Sequence, residues 1–237
     1  MPDSFEEMLE RAEMLGHPPY DFPIQMSAPM VLGLLREVRR EPGGKRETRR
    51  FETPILRNAE RAQAEGRALT AWVREGWQAW KDFDDKPPRD IPPDAHVLYS
   101  ADRPDSLWDS CRRAPFHMPR WASRLTLLDV TIRRERLGDI SEMGALAEGI
   151  MHQNVIIDAH CHGGVHSEIT ADRYWNGAEP DEHEGHECAV DAYGALWDHL
   201  HGLGAWESNQ DREVMVISFR PVLANIDGIG AEHDERH

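Results

Sequence analysis

The sequence predicts an α+β domain: a small curved mixed sheet or open β-barrel, with flanking helices and inserted loops. Three observations point there. Short strand-like runs are interrupted by only a few helical ones, and they do not alternate regularly with helices as in a doubly wound parallel sheet. Neither G-x-G-x-x-G after a strand nor G-x-x-x-x-G-K-[ST] occurs, which removes the best support for dinucleotide folds and P-loop enzymes. The 237 residues are 40% apolar, enough for one sizeable core.

The elements follow in order. Residues 4–15 open with Ser4 and Glu7 at capping-box spacing, and Phe5, Met8, Leu9, Ala12 and Leu15 form a helical stripe that Gly16 and Pro18 end. Phe22–Met26 reads as a short strand, and Ser27 with Pro29 starts a helix reaching about Val38. Lys45 and Thr48 then fall in a connection ahead of a strand or irregular segment at Phe51. Ala59–Gly66 is helix or loop, Ala71–Glu75 is the end of an inner strand, and Val97–Tyr99 is another strand. Ser123–Leu137 has the β-branched content of a long strand, followed by a helix from Ser141 that Gly149 closes. Residues 151–188 carry little periodicity and read as an inserted loop. Ala189–Leu200 places Val190, Tyr193, Leu196, Trp197 and Leu200 on one helical face, and Glu213–Phe219 is the clearest strand. The expected organisation is an N-terminal helical extension (1–21), a main domain (22–222) with its insertion at about 151–188, and a flexible acidic tail (223–237).

Charge narrows the partners. A formal net charge of −16 argues against coating nucleic acid by charge alone, because nonspecific affinity comes mainly from phosphate neutralisation. Yet residues 36–50 gather Arg36, Arg39, Arg40, Lys45, Arg46, Arg49 and Arg50 against Glu37, Glu41 and Glu47. That basic window suits an anion, a nucleotide or a short single strand. No run of about 18 apolar residues is present, no apolar signal segment follows a basic start, and three cysteines suggest no disulfide framework. The expected compartment is the cytoplasm.

Lys45 and Thr48 stand at i, i+3, which puts both side chains on one side if the segment makes a helical or 3₁₀ turn. A threonine hydroxyl becomes a nucleophile when a base takes its proton, and a lysine can serve once burial or neighbouring cations lower its pKa. Glu75, in W-V-R-E between Trp72 and Trp77, is a carboxylate that must pair or take up a proton. These residues are equally readable as an anion-binding turn or as structural ion pairs.

Several blocks carry a family resemblance: S-A-P-M-V at 27–31, G-K-R-E-T-R-R at 44–50, W-V-R-E at 72–75, H-M-P-R-W-A-S-R-L-T-L at 117–127, E-R-L-G-D-I-S-E at 135–142, A-E-G-I at 147–150, A-L-W-D at 195–198 and V-I-S-F-R at 216–220. From about Phe22 to Val222 the chain resembles phage-type ASCH-domain proteins, a group similar in fold to the PUA superfamily. Two departures stand out: L-R-E-V-R-R-E-P-G-G-K lengthens the link after the first helix, and A-E-R-A-Q-A-E-G-R-A-L-T-A replaces the segment usual before W-V-R-E.

The resemblance implies an amidohydrolase that removes the acyl group from N4-acetylcytidine through a Lys, a Thr and a Glu, here Lys45, Thr48 and Glu75. In that mechanism Thr48 attacks the amide carbonyl, Lys45 accepts its proton, and Glu75 orients the amine. The oxyanion rests on N–H groups of the Gly43–Gly44 turn or on an arginine. Other members look like modules that bind RNA, single-stranded nucleic acid or a modified nucleotide, which is the alternative. Gly44, Arg49, Arg50, Trp72, Trp77, His117, Arg120, Trp121 and Arg124 are the substrate-contact candidates, the tryptophans as stacking platforms and the arginines as phosphate or carbonyl contacts.

The insertion holds His160, Cys161, His162, His166, His183, His186 and Cys188, all residue types that can ligate zinc. Their spacing does not reproduce paired C-x-x-C knuckles. No catalytic cofactor is expected, with a structural zinc as the one metal these residues suggest.

Overall fold

A computed structural model of the chain describes residues 19–102, 109–162, 165–176 and 185–229. The helix expected at 4–15 and the tail beyond 229 lie outside the described residues.

Strand β1 (Tyr20–Gln25) leads into α1 (Ala28–Arg39). Ser27 takes the extended N-cap conformation and Pro29 sits in the first turn. Arg40, left-handed at φ 58°, closes the helix, its N–H donating to the last-turn carbonyls of Arg36 and Glu37. β2 (Glu47–Arg50) and α2 (Pro54–Ala64) follow, and the Thr53 hydroxyl caps α2 by accepting the Leu56 N–H. Next come β3 (Leu69–Arg74), the short β4 (Trp77–Ala79) and β5 (Val97–Tyr99), and the long β6 (Thr126–Arg136). α3 (Glu142–Ala147) begins at Ser141, whose hydroxyl accepts the Gly144 N–H at 3.1 Å. Strands β7 (Ile150–His162) and β8 (Val165–Asn176) are followed by α4 (Ala189–His201), α5 (Ala205–Asn209), β9 (Glu213–Val222) and α6 (Ile226–Ile229).

Five strands form one sheet in the order β1-β3-β6-β9-β2, with β1 parallel to β3 and every other pair antiparallel. Strict alternation along β9 splits the core. Met215, Ile217 and Phe219 face α1 and α2 together with Phe22, Leu34 and Leu127, whereas Val214 and Val216 face α3 and α4 with Ile140, Tyr193 and Trp197. A smaller cluster of Trp77, Ala79, Ile91, Met118 and Ala122 fills the space under β4 and β5.

The sheet corrects the expected barrel. β1 and β2 are its two edges, and they do not pair with each other. The chain is α+β, as composition and pattern imply, but its sheet is mixed and open. A PUA-like barrel closes, so the ASCH identification falls, and with it the activity keywords borrowed from that family. Sequence blocks in the right order constrain local conformation; closure depends on which strands become neighbours, which those blocks do not encode.

Two local expectations also change. The segment at 45–48 makes no helical turn: Glu47–Arg50 is a strand, and Phe51 leads to α2 rather than into a strand. Residues 151–188 are largely a long antiparallel hairpin, with Ile150 opposite Asn176 and His162 opposite Val165. Its β-branched residues, among them Val155, Ile156, Val165, Ile169 and Thr170, outweigh the polar composition that suggested a loop. Within the expected tail, the Asn225 side-chain amide donates to the carbonyls of Arg120, Trp121 and Ser123 at 2.7–3.2 Å and ties the start of α6 to the domain.

Candidate functional site

Lys45 enters β2 as one of the largest fully buried side chains. Its backbone N–H donates to Gly33 of α1 at 2.9 Å, and its ammonium donates to the Glu148 carbonyl at 2.9 Å and to the Glu148 carboxylate. Glu148 closes α3 just before Gly149, whose φ of 96° lets the chain turn into β7 against the Lys45 stem. Arg49 reaches the same carboxylate with Nη1 at 3.2 Å, while Nε holds Glu135 at 2.7 Å and Nη2 holds Glu47 at 3.3 Å. Its guanidinium also lies 6.0 Å from the Tyr193 ring centroid. One carboxylate thus sits between two buried cations.

Burial pushes the Lys45 ammonium below its ordinary value, and Glu148 opposes that shift without reversing it. Burial also acts to lower Arg49, but Glu148 and Glu135 carry it above the usual range. The Tyr193 phenol is raised well above its ordinary value by burial and then by the charge of Glu148.

Arg50, one residue on, points to the other face of the sheet. Its Nη2 donates to the Gln25 carbonyl at 2.8 Å and approaches the Met30 sulfur at 3.4 Å. Among the described residues no carboxylate lies within 4 Å of it, and its Nε is buried without a hydrogen-bond partner. Burial lowers its pKa, and the nearby charges of Glu148 and then Tyr193 oppose that shift without reversing it.

Arg49, Arg50 and Glu148 border a cavity of about 160 Å³ between the start of α1 and the inner face of α4. Ser27 and Met30 line it from α1; Tyr193, Trp197 and His201 line it from α4. Three side-chain donors of this lining are buried without partners: Ser27 Oγ, Arg50 Nε and Trp197 Nε1. Unpartnered buried donors cost about 1–3 kcal/mol each, so three on one small cavity call for an acceptor. His201 is held below its usual value by burial and then by Arg50.

The predicted site residues divide into two groups. Lys45, Thr48, Arg49 and Arg50 come together at the β2 edge. Thr48 lies opposite Ile217 and is fully buried, and its hydroxyl has no partner among the described residues. Because the chain is extended there, side chains alternate and the i, i+3 argument for a shared side does not hold. Gly44 borders a separate, open depression with Gly43 and Arg46, where a Cβ on it would stand 2.3 Å from the Glu37 carboxylate.

Glu75 belongs to the second group. It is buried and receives both a 2.9 Å and a 3.1 Å bond from Arg124, which also binds Asp102 at 2.6 Å and lies 4.0 Å from the Tyr99 ring centroid. Burial raises its pKa against the pull of Arg124. The carboxylate on Lys45 is Glu148, and Glu75 is occupied elsewhere. Trp72 is buried with Arg74 over its ring at 4.5 Å, and Trp77 is buried edge-on to Trp121. His117 is exposed against Phe116, and Arg120 pairs with Asp21 and Asp227. These rings and cations are packing and ion-pair residues away from the cavity.

Of the zinc candidates, the side chains of His160, Cys161, His162 and His166, and all of His183, lie outside the described residues. His186 pairs through its backbone with Tyr174, and the Cys188 sulfur accepts the Asp191 N–H at 3.4 Å as the cap of α4. Among the described residues no group of three or more His, Cys, Asp or Glu could hold a metal ion. No helix among them is long and apolar enough to cross a membrane.

The residues that reasoning from sequence missed are Ser27, Glu148, Tyr193, Trp197 and His201. Glu148 and Trp197 stand inside the A-E-G-I and A-L-W-D blocks, and Trp197 with Tyr193 falls on the apolar face assigned to α4. Comparison with family models, with curated proteins and with solved structures finds no match to the chain.

Proposed function

We propose that this protein recognises a compact, single-ring molecule rich in hydrogen-bond acceptors, of the modified-pyrimidine type, in the cavity between α1 and α4. The observation that carries this reading is that three residues lining one cavity each hold a buried donor without a partner: Ser27 Oγ, Arg50 Nε and Trp197 Nε1. A cavity near 160 Å³ compares with the roughly 150 Å³ that admits benzene, so it is of the size for one six-membered ring with a small substituent. Carbonyl or ring-nitrogen acceptors on that ring would complete the donors that the fold leaves open. Titration calorimetry with uracil, cytosine and N4-acetylcytosine tests it. Binding of one of these bases, weakened about tenfold or more by Trp197→Phe, is the expected result; no binding by any of the three removes the reading.

A second reading, hydrolysis of an acylated base, is favoured by one observation: the buried Lys45 ammonium, its pKa lowered, touches a carboxylate that borders the cavity. Lys45 and Glu148 would take a proton from an attacking water and pass it to the departing N4 nitrogen, so that acetate and the free amine are the products; Thr48, on β2 itself, faces the opposite side of the sheet from Arg49. Acetate release from N4-acetylcytidine, abolished in a folded Lys45→Gln variant, supports this reading. Binding without release leaves recognition alone.

A further inference from the structure

Resting on that recognition reading, we infer that the ligand is an anion, a ring bearing a carboxylate group, and that its charge sits against Arg50 and the first turn of α1.

The ion-pair cluster is closed without Arg50. Lys45, Arg49 and Arg133 are joined to Glu47, Glu135 and Glu148 by the pairs Lys45–Glu148, Arg49–Glu148, Arg49–Glu135, Arg49–Glu47 and Arg133–Glu47. Three cations meet three carboxylates, and Arg50 stands beside them outside every pair among the described residues. Arg50 is half-buried with its Nε fully covered, and an unpaired charge so placed favours a ligand that supplies the counter-charge. The hydrogen bonds of Arg50 on Nη2 go to a carbonyl and a sulfur, neutral acceptors, and the nearby charge of Glu148 offsets the cost of its burial only in part.

The helix start adds to the same field. α1 runs twelve residues, so its N–H groups at Ala28 and Met30 carry the positive end of a full helix dipole. No acidic side chain stands in its first turn, and Ser27 at the N-cap makes no side-chain cap bond. Ser27 Oγ is instead a buried hydroxyl without a partner on the cavity lining, as is the indole N–H of Trp197, a residue only 2% exposed. A helix N-terminus, a guanidinium with a free donor and two further polar hydrogens on one small cavity form a carboxylate site.

Uracil and uracil 6-carboxylate differ by one carboxylate and separate the two claims. Calorimetry on the full chain is expected to give tighter binding of the carboxylate by about tenfold or more. Arg50→Gln, which keeps a donor for the Gln25 carbonyl, abolishes that preference, and Arg50→Lys, which keeps the charge, retains part of it. Thermal unfolding checks that each variant is folded, and Ser27→Ala gives an independent loss if Arg50 variants are unstable. Equal affinity for the two ligands, or a preference that survives Arg50→Gln, overturns the anion inference and leaves the recognition reading standing. Binding of neither overturns both.

Discussion

Replacing Glu148 by Gln tests the centre of the buried cluster. The substitution keeps shape and removes one charge, leaving Lys45 wholly buried without its carboxylate and Arg49 with only Glu47 and Glu135. Breaking a buried pair from one side costs about 3–5 kcal/mol. For a chain of this size each kcal/mol moves Tm by about 2–4 °C, so the expected fall is about 6–20 °C. The pH dependence gives a second signature. Burial already lowers the Lys45 pKa, and Glu148 is the largest influence holding it up, so the variant's Lys45 sits lower still. A base whose folded pKa is depressed binds fewer protons folded than unfolded, so stability rises with pH between the folded value and about 10.4, at up to about 1.4 kcal/mol per unit. The deficit relative to the parent protein therefore narrows wherever pH exceeds the variant's value but not the parent's. Urea unfolding followed by circular dichroism at pH 7, 8, 9 and 10 measures both quantities. A variant within about 1 kcal/mol of the parent at pH 7, or a deficit that is flat across this range, refutes the buried-pair argument.

Three further outcomes follow from the geometry. Arg124→Ala leaves the Glu75 carboxylate, 2% exposed, without its two bonds; the expected loss at pH 7 is about 3 kcal/mol. Because the Glu75 pKa is already raised and rises further in the variant, folded Glu75 takes up a proton as pH falls, so the deficit shrinks in urea melts at pH 5. Gly149→Ala forces a side chain to φ 96° and sets its Cβ 3.3 Å from the Gly43 carbonyl and 3.4 Å from the Lys45 Cβ; thermal melts should show a loss of about 1–3 kcal/mol. Ser141→Ala removes the cap of α3 and should cost about 1 kcal/mol by the same measurement.

Local physics made many elements legible. Ser27-x-Pro29 marks the start of α1, Ser141 the cap of α3, and the alternating apolar run at Glu213–Phe219 lies within β9. Lys45 stands out in the sequence as a candidate, with burial only a condition of its proposed role; the fold does bury it. What sequence did not supply was its partner. Glu75 and Glu148 are both carboxylates beside apolar residues, and both end up buried. Sheet order decides between them: β6 and β9 stand between β3, which ends next to Glu75, and β2, whereas Ala147 accepts a hydrogen bond from the Arg46 N–H and so brings Glu148 beside Lys45. A contact spanning 103 residues is set by that assembly, and no spacing rule reaches it.

The same reasoning explains why the basic window takes a different shape from the one its sequence suggested. The seven cations in 36–50 suggested one basic patch for an anion, a nucleotide or a short single strand. In the fold Arg36 and Arg39 belong to α1 and Arg40 closes it, and strand alternation separates the last two cations: Arg49 points to the α4 face and is held by three carboxylates, whereas Arg50 turns to the α1 face and pairs with no carboxylate among the described residues. Period two along β2 is therefore what converts a run of charge into one satisfied arginine and one available arginine. A helical turn at the same residues would have spread the charges around an axis and left no such contrast. The chemistry of the cavity follows from the strand, and the net charge of the chain has no part in it.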